Sequence, residues 1–364
     1  MRMSLSACSA LYANQLERIE GDIPGRPIYF GKVAERLPEI SDPEFNIRSC
    51  RLLAWAAVDM AKPIADAVSR YGRDRVAVVL GASNTGVDEA QSFVDAALSR
   101  AEGDNLNFPD GFRFSMLELG TPSEYLAREI GISGPCYTIS TACSSSAKVF
   151  PAARRLIEAG LCDAAIVGGV DGRCRFAMNG FNALGALAQE RCRPLADDRD
   201  GICLGEGVAL FVMEADRRCE EKNDTRVVCF SGAGESSDAY HATAPDPEGG
   251  GAESAMRGAL KDAGCAPEDV DYVNLHGTGT LANDAMEMKA VRRVFGESLR
   301  CTDDKNPLIV ESTKSRTGHC LGAAGAVEAA ICWRKITNGE IRRALSNSFA
   351  FGGSNASVIF EGNI

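Results

Sequence analysis

A cysteine, two histidines and a lysine stand out in this chain by their settings. Cys143 lies in Thr141-Ala142-Cys143-Ser144-Ser145-Ser146-Ala147-Lys148, after a β-branched run at 136–140 and before an Ala/Lys/Arg-rich stretch. This pattern predicts strand, tight turn and helix, with Cys143 where the helix begins. Unpaired amides and the positive dipole end at such a place stabilise a thiolate and lower its pKa. It suits a sulfur nucleophile, although an isolated free cysteine is as readily a small buried hydrophobe. Histidine is scarce, with His241, His276 and His319 the complete set. His276 follows the apolar run 270–275 and opens Gly277-Thr278-Gly279-Thr280, a loop of little bulk and two hydroxyls. His319 sits in Lys314-Ser-Arg-Thr-Gly-His-Cys-Leu-Gly-Ala-Ala-Gly325, between the run 308–310 and a small-residue helix. Both histidines thus fall at strand ends in crossover loops, where α/β folds place their chemistry. Lys314 occupies an apolar, glycine-rich setting in which a bare charge is costly. His241 is read as a structural residue or part of a pocket wall.

The elements that must position these residues are legible as alternating patterns. Strand-like runs occur at 76–80, 136–140, 164–167, 208–213, 226–230, 270–275, 308–310 and 356–360. Several are nearly continuous in apolar residues, as expected for strands covered on both faces. Helical patterns lie between them, at 48–67, 88–100, 122–129, 147–159, 253–263, 284–295 and 325–335. The alternation predicts a doubly covered α/β fold. Each half carries a strand, a small-residue turn with a reactive type of residue, and a helix, which points to a duplicated α/β unit. The expected halves are 1–225, with Cys143, and 226–364, with His276 and His319. Pro151 falls well inside the predicted helix 147–159, so a kink or restart is expected there.

Composition narrows the function classes. A chain of 364 residues, 45% hydrophobic and 24% charged, can bury a large core and is ordinary for a globular protein. The net charge of −11 argues against nucleic acid as the main partner, and any acidic partner must meet a local basic patch. No apolar run approaches the roughly 20 residues of a membrane span. Residues 1–12 lack the basic region and long apolar core of a secretory signal. The 14 cysteines sit singly inside predicted elements, at 50, 162, 203, 229 and 332 among others, and not at framework spacing. They are expected to be reduced, buried thiols in a cytoplasmic protein. No Cys/His set has zinc-ligand spacing, so no metal is expected. Asp200 and Glu206, in a strand–turn setting, are read as structural carboxylates.

Taken together, TACSSS around Cys143, NLHGTGT around His276, STKSRTGHCLGAAG with Lys314 and His319, and NSFAFGGSNAS at 347–357 resemble a known family. They are similar to the elongating β-ketoacyl-[acyl-carrier-protein] synthases, the Cys-His-His condensing enzymes of the thiolase superfamily. The similarity runs from about Val76 to the C-terminus and includes Arg193-Pro194, Asp198-Arg-Asp-Gly201, Gly205-Glu-Gly207 and Ser236-Ser-Asp-Ala-Tyr-His241. It implies a thiolase-like fold, two duplicated α/β halves in an αβαβα layering, and a decarboxylative Claisen condensation. Cys143 is then the acyl-carrying nucleophile. His276 and His319 bind malonyl thioester and stabilise its enolate as neutral imidazoles donating through Nε2. The backbone amides of Cys143 and Phe351 form the oxyanion hole, and Lys314 pairs with Glu328 as electrostatic support. The resemblance also places Thr278 and Thr280 near the malonyl and pantetheine groups and makes Phe351, with Phe349, a gate. Where the family pattern has glycine, this chain has Ala350, and the extra methyl is expected to stiffen that gate. Residues 1–46 lack the family's opening glycine motif and align loosely.

Two sister classes fit less well. A biosynthetic thiolase needs a second reactive cysteine where this chain has Phe351-Gly-Gly, and a priming synthase has asparagine where this chain has His319. A non-catalytic chain-length-determining partner typically lacks the nucleophile that Cys143 provides. The family resemblance implies acyl- and malonyl-loaded carrier protein as partner, no dissociable cofactor and a homodimer. The alternative is the active ketosynthase half of a heterodimer with a chain-length-factor-like subunit, as in polyene or polyketide pathways. Arg48 and Arg51, neighbours on one helical face, are candidates for a carrier-protein patch. By analogy alone, a monovalent cation site is placed near Asn274, Glu328, Ser346 and Asn347.

Overall fold

The computed structural model describes residues 1–100, 109–215, 227–296 and 308–362. The first half runs β1 (Met3–Tyr12), β2 (Glu17–Ile23), β3 (Arg26–Gly31), α1 (Arg48–Asp59), α2 (Ala61–Tyr71), β4 (Val76–Gly81), α3 (Val87–Ser99), α4 (Thr121–Glu129), β5 (Cys136–Ile139), α5 (Val149–Glu158), β6 (Ala164–Asp171), α6 (Arg175–Ala183), β7 (Leu204–Gly205) and β8 (Gly207–Ala215). The second half runs β9 (Val228–Ser237), α7 (Gly250–Ala263), β10 (Tyr272–Asn274), α8 (Leu281–Phe295), β11 (Ile309–Glu311), α9 (Lys314–Thr317), α10 (Ala324–Thr337), β12 (Arg343–Phe349) and β13 (Ser354–Gly362).

Strand pairing makes the duplication explicit. One unit has the spatial order β5-β4-β6-β8-β1 and the other β11-β10-β12-β13-β9. In each, the first two pairings are parallel and the next two antiparallel. In each, the strand that comes first in the chain lies at the inner edge. There β1 and β9 meet through Met3–Phe230, Ser4–Cys229 and Leu5–Val228, which joins the two units. The central strands β4, β6 and β12 are buried along their whole length, as parallel strands covered on both faces must be.

Helices complete five layers. One apolar cluster packs α1, α2 and α4 on the outer face of the first unit. A second places α5 and α10 between the units, with Phe150 edge-on to Phe211 and Phe360 at ring-centroid distances of 5.4 and 5.2 Å. A third packs α7 and α8 against β10, β12 and β13. The thiolase-like αβαβα architecture expected from the sequence is therefore present.

Three local expectations are corrected. The pattern at 48–67 is two helices, because the ring of Pro63 excludes the carbonyl of Asp59 four residues earlier and the chain restarts at Ala61. Pro151 causes no kink: it is the third residue of α5, in the first turn, where a backbone N–H has no intrahelical partner to lose. Cys229 is disulfide-bonded and not a free thiol, whereas Cys50, Cys162, Cys203 and Cys332 are free as expected. The expected boundary at 225/226 and the first residue of the predicted strand 226–230 lie outside the described residues, as do Cys219 and Cys301.

Candidate active site

Cys143 stands on a strained turn. Ala142 before it adopts φ 52°, in the left-handed region that costs a non-glycine residue about 1–2 kcal/mol. The three following serines hold that conformation from within. Ser145 Oγ donates to the Ala142 carbonyl at 2.6 Å and accepts from the Thr141 N–H at 2.9 Å. Ser144 Oγ donates to the Thr141 carbonyl, and Ser146 Oγ accepts from the Ala326 N–H at the start of α10. Contrary to the sequence expectation, Cys143 lies six residues ahead of α5. Its thiol is also not acidified: burial pushes it up to about 11. The charge of Lys314 and the backbone N–H groups of Phe351 and Cys143, aimed at the sulfur, oppose that burial and favour the thiolate.

The loop carrying His276 is fastened from α8. Both oxygens of the buried Glu287 accept backbone bonds, from His276 N at 2.8 Å and Gly277 N at 2.7 Å. Asp284 accepts from Gly279 N, and Thr280 caps α8 while its hydroxyl lies 2.9 Å from that of Thr278. The backbone of His319 is fastened by the second sheet, of β2, β3 and β7. Its N–H donates to the Cys203 carbonyl at 2.8 Å and its own carbonyl accepts from Gly205 N at 2.9 Å. The residue before it, Gly318, has φ 67°, and a Cβ there would lie 2.4 Å from the Leu204 carbonyl, so only glycine fits.

These anchors bring one reactive atom each from Cys143, His276 and His319 within 4.8 Å of one another. The imidazoles stand edge to face, 5.2 Å apart at 84°. The Leu321 N–H donates to His319 Nδ1 at 3.1 Å. Nδ1 is therefore an acceptor, the ring proton sits on Nε2, and Nε2 has no partner among the described residues. That tautomer points a donor into the trio. It also opposes metal binding through Nε2, although the trio is the grouping of His, Cys, Asp and Glu with metal-ligand spacing among the described residues. Burial, then Lys314, holds both histidine pKa values well below the usual imidazole range, so both rings are neutral at physiological pH. Lys314 is itself fully buried and pairs with Glu328, whose pKa burial raises against the opposing effect of the lysine.

Two cavities meet at Cys143. The larger, about 320 Å³, is lined by His276, His319, Thr278, Thr280, Phe349 and Asp200 among others. The smaller, about 220 Å³, is lined by Ser83, Asn84, Ala142, Ala177 and Leu321. Phe181 and Phe351 line both and stack at 5.5 Å. Phe349 packs on His276 at 6.2 Å. Ala350 has φ −98° and ψ 155°, an extended conformation open to any residue, so its methyl imposes no backbone strain.

Glu206 is structural, fully buried and bound to the Arg48 side chain and to Val33 N and Arg173 N. Asp200 accepts from Gln189 N while facing the larger cavity. His241 is exposed, not in the pocket wall, and ties a turn through Nδ1 to Thr243 N at 3.1 Å. Arg48 and Arg51 share a face of α1, but Arg48 is committed to Glu206, and Arg51 to Glu39 and the Pro38 carbonyl. Around the suggested cation position, Asn274 bonds Ser346, Asn347 bonds Glu287 and Ser357, and Glu328 holds Lys314. Sequence reasoning missed Phe181, Glu287 and Asp284. Phe181 is a lone aromatic in a Gly/Asn/Ala helix end, and the two acids, three residues apart on one face of α8, are the sequence's only hint of a buried clamp.

A pair of repeated five-strand units with a Cys-His-His trio buried where both halves converge defines a condensing enzyme of thiolase-like fold. Two family models agree: "Beta-ketoacyl synthase, N-terminal domain" matches residues 15–219 and "Beta-ketoacyl synthase, C-terminal domain" matches 227–347. The chain belongs to the β-ketoacyl synthase family and is an acyltransferase of that condensing class. Chloroplastic 3-oxoacyl-[acyl-carrier-protein] synthase I of Hordeum vulgare is 34% identical over 353 residues, which is 86% of this chain and 73% of that one. Nodulation protein E of Rhizobium leguminosarum bv. trifolii is 30% identical over 99% of this chain and 93% of its own. Among solved structures, a chain of the Xenorhabdus doucetiae ketosynthase ApeO in complex with its chain length factor ApeC superposes with a TM-score of 0.88. It is 36% identical, covering 99% of this chain and 98% of that one.

Proposed function

We propose that the protein extends a carrier-bound acyl chain by two carbons in a decarboxylative Claisen condensation, with Cys143, His276 and His319 as catalytic residues. Cys143 Sγ attacks the acyl thioester, the carrier thiol leaves with the proton, and the acyl group stays on sulfur. Malonyl-carrier protein then loses carbon dioxide, the enolate carbon attacks the acyl-cysteine carbonyl, and the Cys143 thiolate departs and takes a proton from solvent. His319 Nε2–H and the neutral His276 donate to the malonyl thioester oxygen as it becomes an enolate; a placed donor of this kind is worth about 3–4 kcal/mol. The amides of Cys143 and Phe351 form the oxyanion hole for the acyl carbonyl. Lys314, supported by Glu328, keeps the imidazoles neutral and eases formation of the thiolate.

The observation that carries this reading is the His319 tautomer fixed by Leu321, beside a second neutral imidazole and a thiol. Two cavities meeting at the sulfur supply the space. The larger, with Thr278 and Thr280, takes the pantetheine arm and malonyl group; the smaller takes the acyl chain, with Phe351 and Phe349 as gate. No cofactor is required. The halves 1–225 and 226–364 act as one unit, since each supplies part of the trio. A cytoplasmic location is supported by the cysteines that are free among the described residues, Cys229 being the disulfide-bonded exception. The partner is acyl carrier protein, and the quaternary state is a dimer. The open edge strand β5, with Cys136 and Tyr137 exposed, supports a dimer. A heterodimer with a chain-length-factor-like subunit is the second reading, supported by the likeness to the ApeO–ApeC complex.

The test is to incubate purified protein with a panel of acyl-carrier proteins and read intact mass beside a Cys143→Ala control. An acyl adduct absent from the control supports the mechanism and identifies the preferred chain. No adduct from any donor, with or without a co-purified partner subunit, contradicts it.

A further inference from the structure

Beyond the catalytic trio, one buried carboxylate has no part in the chemistry described above. Asp171 ends β6, is fully buried, and forms no ion pair among the described residues. Its oxygens are spent on donors from two separate loops. From the loop after β4 come Ser83 N at 3.0 and 3.1 Å, Ser83 Oγ at 2.7 Å and Asn84 N at 2.8 Å. From the turn after His319 comes Gly322 N at 2.6 Å. Ser83 and Asn84 line the smaller cavity. Gly322 follows Leu321, whose N–H fixes the His319 tautomer and whose own φ of 49° leaves it in the left-handed region. The Gly322 carbonyl in turn accepts from Ser146 N, in the turn that carries Cys143.

Granting the condensation proposed above, we infer that Asp171 is a positioning residue for His319, acting as an obligate carboxylate that ties the acyl-pocket loop to the turn holding the imidazole. Every donor facing it is an N–H or O–H, so only a group with two acceptor oxygens satisfies both loops. Asparagine turns N–H hydrogens toward one loop and releases it, and a protonated Asp171 must spend its own hydrogen on the Ser83 hydroxyl, which weakens that oxygen's hold on the Gly322 N–H. Burial raises this carboxyl to about 6 while the bonds from Ser83, Asn84 and Gly322 oppose the rise. Among the described residues, the titratable groups that feel its charge are the thiols of Cys143, Cys174 and Cys320, all pushed upward by burial and uncharged near pH 6. The charge of Lys314, which reaches Cys143, is paired to Glu328. The loop after β4 brings only Ser83 and Asn84 to it.

The experiment separates the two half-reactions across pH 5–8, following acyl loading of Cys143 by intact mass and carbon dioxide release from malonyl-carrier protein by the pre-loaded enzyme. Wild type is expected to show an acid limb near pH 6 in carbon dioxide release and not in loading. Ser83→Ala removes a bond that lowers the Asp171 pKa, so the limb should move about one unit to higher pH. Asp171→Asn should lose the limb and release carbon dioxide about 10- to 100-fold more slowly at pH 7.5 while still loading. A limb that stays in place in Ser83→Ala overturns the assignment, even if Asp171→Asn fails to fold. Loading and release that fall together in both variants, with no movement of the limb, also overturn it, as a merely structural role would give that result. A wild-type protein that does neither half-reaction overturns the condensation reading, and this one with it.

Discussion

Burial sets the chemistry of each reactive residue here. Cys143 is 7% exposed and its thiol is pushed up to about 11, so the empty enzyme holds a neutral thiol at pH 7. Alkylation by iodoacetamide should therefore rise about tenfold per pH unit from 7 to 10. A plateau by pH 8 would mean that the Phe351 and Cys143 amides and Lys314 outweigh burial. Lys314→Met removes a charge that lowers this pKa, so the rise should shift to higher pH in that variant. His319→Ala should slow carbon dioxide release about 10²- to 10³-fold and leave acyl loading largely intact. Equal loss of both steps in a two-step assay would reject the division of roles. The sequence singled out Cys143, His276 and His319, which the fold brings together, and misjudged the setting of Cys143, because a strand–turn–helix pattern reveals dipoles and not depth. The hydrogen bond from Leu321 that decides the His319 tautomer has no sequence signature, being a backbone donor in a strained turn.

Among the elements, the buried Lys314–Glu328 pair links α9 to α10 and is the most exacting contact. Glu328→Leu leaves Lys314 charged and unpaired and should destabilise the fold by about 3–5 kcal/mol. The double change Lys314→Met with Glu328→Leu should recover most of that stability in urea unfolding while condensation remains impaired. If the double variant is no more stable than the single one, the pair does not carry the cost assigned to it. The long central strands and the helices between them were legible because both-face burial makes them continuously apolar. Prolines were the harder signals: Pro63 and Pro151 each occupy the third residue of a helix, one starting α2 afresh and the other sitting in the first turn of α5. Pattern alone cannot tell a first turn from a helix interior. Nor did it reveal β1, whose alternating small and polar residues hide the strand that joins the two units, or the minor sheet of β2, β3 and β7 that holds His319.

Across the whole molecule, the repeated strand order places His276 and His319 in one half and Cys143 in the other, so the trio exists only when the halves are docked. Stability should depend on pH through two buried carboxyls. Asp171 and Glu287 have pKa values raised by burial to about 6 and about 7, so the folded state holds their protons longer than the unfolded chain does. Their contribution is greatest below about pH 4 and is lost as pH rises through 6 to 7. Glu287→Gln should flatten that part of the melting-temperature profile; an unchanged slope would show that Glu287 does not titrate there. The most direct test of the central claim is a single turnover in which acyl-loaded enzyme meets malonyl-carrier protein, with carbon dioxide and product mass followed together. Stoichiometric carbon dioxide, a β-ketoacyl-carrier protein two carbons longer, and return of free Cys143 are expected. Carbon dioxide without a longer product, or a longer product made by Cys143→Ala, would contradict it.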